Sequence, residues 1–304
     1  MISQILSLAF LAQTIRITVP YALASIGGVY SERGGVTNIA LEGIILTGAF
    51  CTVVGTYYTG SPLVGILCGV SGGLLTALIH AVVSINIKAD QIISGIAINL
   101  FAVGITKFVL EILFHSSSNS SRIVGLPHIP MGFIEHQPDV AHLLGNPMVL
   151  ATIAIIIASQ FIIFRTRFGL RLRAVGENPE AADTVGIKVN LYRYYGVMIS
   201  GVLAGLSGAW LAFDQHSFTD GMSAGRGYIA LAAMIVGKWN PLGAAAACLL
   251  FGFAESLQIQ LQGGGLPTQF IQMIPYIATI IVLAGFIGKA VAPAADGVPY
   301  EKEK

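Results

Sequence analysis

The chain of 304 residues carries only 16 basic and 15 acidic side chains, 10% of the total, against 55% hydrophobic residues and 36 glycines. A soluble domain averages about a quarter charged, so this composition excludes a water-soluble enzyme with one apolar core: too few polar groups exist to cover its surface. A net charge of +1 offers no electrostatic footprint for nucleic acid, and a mean hydropathy of +0.78 points to a membrane.

A membrane span takes about 20 mostly apolar residues. In chain order, candidate segments lie near 4–30, 37–58, 62–85, 91–114, 147–164, 193–213, 228–238, 241–261 and 268–288. The expected fold is an all-α polytopic membrane protein with about nine (eight to ten) transmembrane segments, some of them broken or half helices. The first run is too long for one simple span, and Pro20 and Gly27-Gly28 are expected to break it. The run 228–238 is too short, bounded by Arg226 and by Lys238-Trp239-Asn240-Pro241. Non-helical backbone at membrane depth survives only inside protein or a water-filled cavity, so such interrupted segments point to a transport path. No basic n-region or cleavage site marks a signal peptide.

Glycine recurs inside the spans, as Gly65, Gly69, Gly72 and Gly73 in one and Gly201, Gly205 and Gly208 in another. Lipid supplies no hydrophobic drive for helix association, so small residues three or four apart let backbones close into a tight bundle. Cys51, Cys68 and Cys248 lie in apolar runs and read as small hydrophobes.

The loop 165–192 holds Arg165, Arg167, Arg171, Arg173 and Lys188, with Arg193 beyond it, against Glu177, Glu180 and Asp183. The other long loop, 115–146, has Arg122 alone against Glu135 and Asp139. The basic loop is therefore expected in the cytoplasm and 115–146 outside, with the N-terminus outside and the tail from Lys289 inside. In the outer loop, His115, His128, His136 and His142 follow no metal-ligand spacing, so a surface that receives a partner protein is the expected use. A faint internal echo links Ile39-Ala40-Leu41-Glu42-Gly43 with Ile229-Ala230-Leu231-Ala232-Ala233. The two copies run in opposite directions, as in an inverted repeat.

Within the basic loop, Asn178 is a favoured N-cap, Pro179 suits the first helical position, Glu180 lies where the helix dipole favours an anion, and Gly186 suits a left-handed terminator. These signals predict a short helix over about 178–186, serving as a docking element or resting on the bilayer. The stretch Glu177-Asn178-Pro179-Glu180-Ala181-Ala182 through Gly186-Ile187 resembles the coupling-helix region of ABC importer permeases of the branched-chain amino acid and simple-sugar type. Ser31-Glu32-Arg33-Gly34-Gly35-Val36-Thr37-Asn38-Ile39-Ala40-Leu41-Glu42-Gly43 is similar to that family's N-terminal signature. Gly225-Arg226-Gly227-Tyr228-Ile229-Ala230-Leu231-Ala232-Ala233, leading to Gly237-Lys238-Trp239-Asn240-Pro241-Leu242-Gly243, is similar to its C-terminal one.

The nearest likeness is to the shorter permease subunit of nucleoside-type importers, a group that includes riboflavin importers. The resemblance implies one permease domain over 1–304, type II-like with two inverted halves, in the bacterial inner membrane. It also implies a cytoplasmic ABC ATPase on the coupling helix, a second homologous permease and an extracytoplasmic substrate-binding lipoprotein. The cargo it implies is a nucleoside, a riboflavin-like molecule, a simple sugar or another small solute. No Walker A pattern occurs, so ATP and Mg belong to the partner and no cofactor is expected in this chain. Arg171 and Arg173 are expected to meet acidic groups of the ATPase or lipid, and Arg165 and Arg167 to meet lipid headgroups.

Ionisable groups within spans are costly and are functional candidates. Glu42 either lines the path or locks a broken helix by accepting backbone N–H bonds. Lys107 and Glu111, four apart, are expected to neutralise each other. Glu255 heads a polar stripe with Gln258 and Gln262. Asn38, Glu42, Asn99, Phe213, Trp239, Asn240 and Glu255 are the expected path residues; stacking rings and a few hydrogen bonds would hold a flavin or purine. Two rival classes remain. Gly69-Val70-Ser71-Gly72-Gly73 fits a nucleophile elbow, although that pattern requires a strand–turn–helix. A stand-alone transporter or channel would need no capped docking helix.

Overall fold

Half of the described helices begin on a residue whose side chain caps them. The structure, a computed structural model, describes residues 7–130, 143–262, 268–285 and 290–301. Helix α1 (Leu8–Arg33) starts on Ser7, whose hydroxyl accepts from the Phe10 amide, and α2 (Leu41–Thr59) follows a non-helical stretch. Helix α3 (Pro62–Ala81) continues through a π-helical turn, Val82–Asn86, and α4 (Gln91–Phe114) is capped by Asp90. Asn146 caps α5 (Pro147–Arg165), Thr166 caps α6 (Arg167–Glu177) and Asn178 caps α7 (Pro179–Thr184). Then come α8 (Val189–Gln215), α9 (Arg226–Val236), α10 (Pro241–Leu261) capped by Asn240, α11 (Thr268–Gln272) and α12 (Ile274–Gly285). Four of these helices open with a proline, where its missing N–H leaves no gap in the ladder.

Among the described residues, seven helices are long and apolar enough to cross a membrane: α1, α2, α3 with its π turn, α4, α5, α8 and α10. The sequence count of about nine includes two segments that the structure makes shorter. Helix α9 is an apolar helix of only 11 residues, and the run 268–288 divides into α11 and α12. The first run is not broken as expected: α1 is one helix of 26 residues that passes through Pro20. The Ser207 hydroxyl donates to the Pro20 carbonyl at 2.8 Å. Gly27 and Gly28 make room for neighbours, since a Cβ on Gly27 would stand 3.0 Å from the Ser200 carbonyl oxygen and one on Gly28 3.0 Å from the Met234 sulfur. The elbow-like pattern around Ser71 lies mid-helix in α3, without the strand and turn a nucleophile elbow needs.

Helix α8 is the hub, packed against α1, α2 and α3. A Cβ on Gly205 would meet the Gly69 carbonyl oxygen at 2.7 Å, and one on Gly48 would meet Gly205 Cα at 2.8 Å. Backbones therefore touch where the sequence places its glycines, and side-chain volume is absent from the contact. Helices α4 and α5 instead turn Ile93, Leu100, Phe101, Phe108, Ile157 and Phe161 outward.

The bundle has two distinct ends. At one, residues 115–130 run beside 216–220, through Ser120 N–H to Phe218 C=O (2.9 Å), Ile123 N–H to His216 C=O (2.9 Å) and Asp220 N–H to Ser118 C=O (2.8 Å). At the other, Arg33 donates from Nε to the Trp239 carbonyl (3.0 Å) and lies 3.7 Å from Glu177, so 34–40, 165–188, 237–240 and 290–301 share that end. They are labelled the outer and inner ends below, after the sidedness expected from the loop charges. The fold-back at the outer end corrects one expectation: Lys107 pairs with Asp220 (3.2 Å) because 216–225 lies across the top of α4, and not with Glu111. Glu135, His136, Pro138, Asp139 and His142 of the long loop lie outside the described residues, as does Gly288-Lys289.

Candidate functional site

Two non-helical segments, 34–40 and 216–225, enter the bundle from opposite ends and each leads into a helix that starts inside it. Such a helix start leaves unpaired N–H groups in the protein interior, and each needs an acceptor. For α2, Asn99 of α4 supplies one: its Oδ1 accepts from the Gly43 amide (2.8 Å), while its Nδ2 donates to the Ile39 carbonyl (3.0 Å) and the Tyr228 hydroxyl (3.1 Å). For α9, Glu42 of α2 supplies two: Oε1 accepts from the Gly225 amide and Oε2 from the Gly227 amide, each at 2.7 Å. A carboxylate at a helix N-terminus also meets the positive end of the helix dipole.

Gly227 is required at this contact, because a Cβ there would overlap the Glu42 backbone. Asn38 is buried and donates to the Ser200 hydroxyl at 2.9 Å. His80 contacts the Ser94 hydroxyl through Nδ1 and the Thr37 carbonyl through Nε2, both at 3.0 Å. Asn38, Glu42 and Asn99 thus fasten the two broken segments to the bundle.

Near the outer end, between α1, α8, α9 and α10, two adjoining cavities of about 540 and 240 Å³ form one cleft. Gln13, Arg16, Trp210 and Asp214 line both. Arg16 donates from Nε to Asp214 across the junction. The upper part adds Phe213, His128, Asn146 and His216; the deeper part adds Arg226 and Glu255. Arg226 lies 3.6 Å from Glu255, and the Tyr21 hydroxyl donates to the same carboxylate. The cleft therefore offers the rings of Trp210 and Phe213, two imidazoles, two carboxamides and two charge pairs, which suits a flat polar solute.

Of the seven path candidates, the structure brings only Phe213 and Glu255 to this cleft. Trp239 and Asn240 lie at the inner end. The Trp239 indole N–H donates to Glu32 (2.6 Å), and Asn240 caps α10 by accepting from the Leu242 amide (3.0 Å) and the Gly243 amide (3.3 Å). Arg16, Trp210 and Asp214 are not among the path residues expected from the sequence, and Arg226 enters there only as a span boundary and as part of the C-terminal signature. Arg16 and Asp214 carried a usable signal: each is an ionisable group within or at the edge of an apolar run.

At the inner end, α6 and α7 meet at Asn178, whose Oδ1 accepts from the Ala181 amide at 2.9 Å. The chain leaves α7 through Gly186 at φ +80. Ala182 packs inward against Val175 and Val189, while Glu177, Asn178, Glu180 and Ala181 are exposed and Val185 is 74% exposed. Arg171 donates to the Tyr192 hydroxyl (3.2 Å), and Arg173 stacks over Phe164 at 5.0 Å. Both guanidiniums are thus engaged within the chain.

Residues 10–283 match a family described as the branched-chain amino acid transport system / permease component. The chain is 44% identical over 301 residues to the nucleoside ABC transporter permease protein NupC of Lactococcus lactis subsp. cremoris, covering 94% of each. It is 43% identical to the guanosine ABC transporter permease protein NupQ of Bacillus subtilis, covering 100% of this chain and 99% of that one. Among solved structures, PsaBC from Streptococcus pneumoniae in complex with Fab contains a chain that superposes with a TM-score of 0.51 at 14% identity, covering 97% of this chain and 96% of that chain. That likeness concerns the fold alone.

Proposed function

The chain belongs to the branched-chain amino acid transport permease family, and we propose that it is one of two permeases in an ABC importer that carries a nucleoside inward by alternating access. It is a multi-pass protein of the bacterial inner membrane and a non-catalytic permease component, so ATP hydrolysis falls to a partner ATPase. The observation that carries the cargo assignment is the end-to-end similarity to permeases named for nucleosides and for guanosine. The outer cleft is consistent with it. Trp210 and Phe213 offer faces for a base, and Gln13, Arg16 and Asp214 offer partners for ring nitrogens and ribose hydroxyls. A riboflavin-like molecule, also a flat ring with a polyol, is the second cargo this lining favours over a simple sugar.

In this reading, substrate arrives at the outer end from a substrate-binding lipoprotein, and a second homologous permease completes the path. The ATPase docks on the exposed face of α7 within the loop 165–192, at the cytoplasmic side. The half-depth α9 and the α11–α12 pair bring the membrane-entering segments to about nine, and the two halves are inverted copies. Support for the inversion comes from α2 and α9, which start at mid-depth, run in opposite directions and are joined through Glu42.

Uptake of labelled guanosine, adenosine, riboflavin and ribose into proteoliposomes holding the whole importer tests the cargo. Strong uptake of a nucleoside, displaced by other nucleosides, is expected; uptake of ribose alone overturns the proposal. A variant tests the cleft. The Arg16 side chain is 53% exposed, so its pair with Asp214 adds at most about 1 kcal/mol to stability. Arg16→Ala and Asp214→Asn are therefore expected to insert normally and keep their ATPase, yet lose tenfold or more of nucleoside uptake. Wild-type uptake in both variants would remove the cleft from the path.

A further inference from the structure

Residues 290–301 follow the last apolar helix and form no helix themselves, yet they are held across the inner end at every few residues. The Ala294 amide donates to Glu177 (3.3 Å) and the Ala295 amide to the Gly176 carbonyl (2.9 Å), both at the α6–α7 junction. Arg193, at the start of α8 and only 1% exposed, donates from Nη1 to the Val298 carbonyl at 2.9 Å. Lys88, in the turn between α3 and α4, pairs with Glu301 at 2.6 Å.

Between these ties, Pro293 and Ala295 are buried, and the Asp296 carboxylate lies beside Thr37 and the buried Glu32. Gly297, at φ +77, turns the chain there, and a Cβ on it would stand 3.1 Å from Thr37 Oγ1. One short segment therefore touches the junction leading to α7, the broken segment 34–40, the start of α8 and the α3–α4 turn. A tail that merely trailed from the last helix would bury neither alanine nor arginine.

We propose that residues 293–301 are a strap that closes the cytoplasmic mouth and carries the movement of α7 to the broken segment 34–40. The proposal rests on α7 as the ATPase-docking helix. Moving α7 pulls on Ala294 and Ala295, and the same segment holds Asp296 against Thr37 and Val298 against Arg193. The strap thus ties the α6–α7 junction, on the motor side, to the broken segment 34–40, the start of α8 and the α3–α4 turn. Acid should tighten it. Burial pushes the Asp296 carboxyl up to about 6, against bonds from the Thr37 hydroxyl, the Gly297 amide and Glu32 and against the Arg193 charge; Tyr300 is the other titratable group nearby. A carboxyl raised on docking favours the docked state when protonated. Docking therefore weakens as pH climbs from the ordinary carboxylate range through about 6, and it strengthens when pH is lowered from 7 to 5. Slower proteolysis of the tail at pH 5 than at pH 7, with the difference lost in Asp296→Asn, is the expected signature.

The deciding experiment uses the whole importer in proteoliposomes. A chain truncated after Ala292 is expected to keep its ATPase and to hydrolyse ATP, while nucleoside moved per ATP falls at least fivefold. Thr37→Cys with Asp296→Cys, in a chain whose three native cysteines are replaced, is expected to lose at least tenfold of uptake when oxidised. Reductant should restore it, with the ATPase bound throughout. Unchanged transport per ATP in the truncated chain, or normal uptake with the bridge formed, overturns the strap. If truncation prevents insertion, the bridged protein decides. Failure of the docking reading shows separately, as an ATPase that stays bound after α7 is altered.

Discussion

Ala181→Arg is expected to abolish co-purification of the partner ATPase while leaving membrane insertion unchanged. The side chains on α7 divide sharply: Ala182 is 3% exposed and packs on Val175 and Val189, whereas Ala181 is exposed. A long cation at Ala181 therefore alters only the outer face, where a small residue permits close approach of a partner. The same charge at Ala182 would displace α7 from α6 and α8, so loss of binding there would say nothing about docking. Val185, 74% exposed on the same short loop, presents an apolar side chain to water without an intramolecular reason, and Val185→Asp is expected to act in the same direction. Loss of a hot-spot residue costs about 2 kcal/mol or more, and a charge driven into a packed contact is expected to cost as much, so affinity should fall about 30-fold or further. Full ATPase recovery with Ala181→Arg, together with normal uptake, would reject α7 as the docking element.

Glu42→Ala is expected to have the largest effect on stability. Its carboxylate accepts from the Gly225 and Gly227 amides at 2.7 Å, and these are orphan donors at the start of α9 within the bundle. A hydrogen bond to a charged group contributes about 1.5–3 kcal/mol, so removing both costs up to about 3–6 kcal/mol. Glu42→Gln keeps one acceptor oxygen and should lose roughly half as much. Asn99→Ala frees the Gly43 amide at the matching start of α2 and should resemble Glu42→Gln. Thermal unfolding in detergent measures all three; wild-type midpoints for Glu42→Ala would show that α9 starts without this acceptor. Gly227→Ala is a further check, since its Cβ would overlap the Glu42 backbone.

Much of the fold was legible because helices and their ends are local. Asp90, Asn146, Asn178 and Asn240 each precede a helix and each accepts from its first turn, as their side-chain chemistry dictates. The two glycine-rich spans do pack against each other, because small residues at helical spacing leave a groove that only another backbone fills. Pro20 misled for a physical reason. Its missing N–H costs one helical bond, to the Arg16 carbonyl, and a 26-residue helix packed on its neighbours continues past that single loss; those neighbours, such as Ser207 at 187 residues' separation, are not visible in the local sequence.

By itself, the sequence determined that this chain lives in a membrane, where most of its helices begin, and which family its motifs resemble. It also marked its polar residues as costly, because any unpaired polar group in a low-dielectric interior is destabilising. Only the tertiary structure decided which partner meets that cost. Glu42 finds amides 183 residues on, and Arg16 finds Asp214 at a separation of 198. Trp239, which looked like a path residue, finds Glu32 at the inner end. The need for a partner follows from the side chain and its solvent, whereas the partner follows from how the chain folds back, and no spacing along the sequence records that.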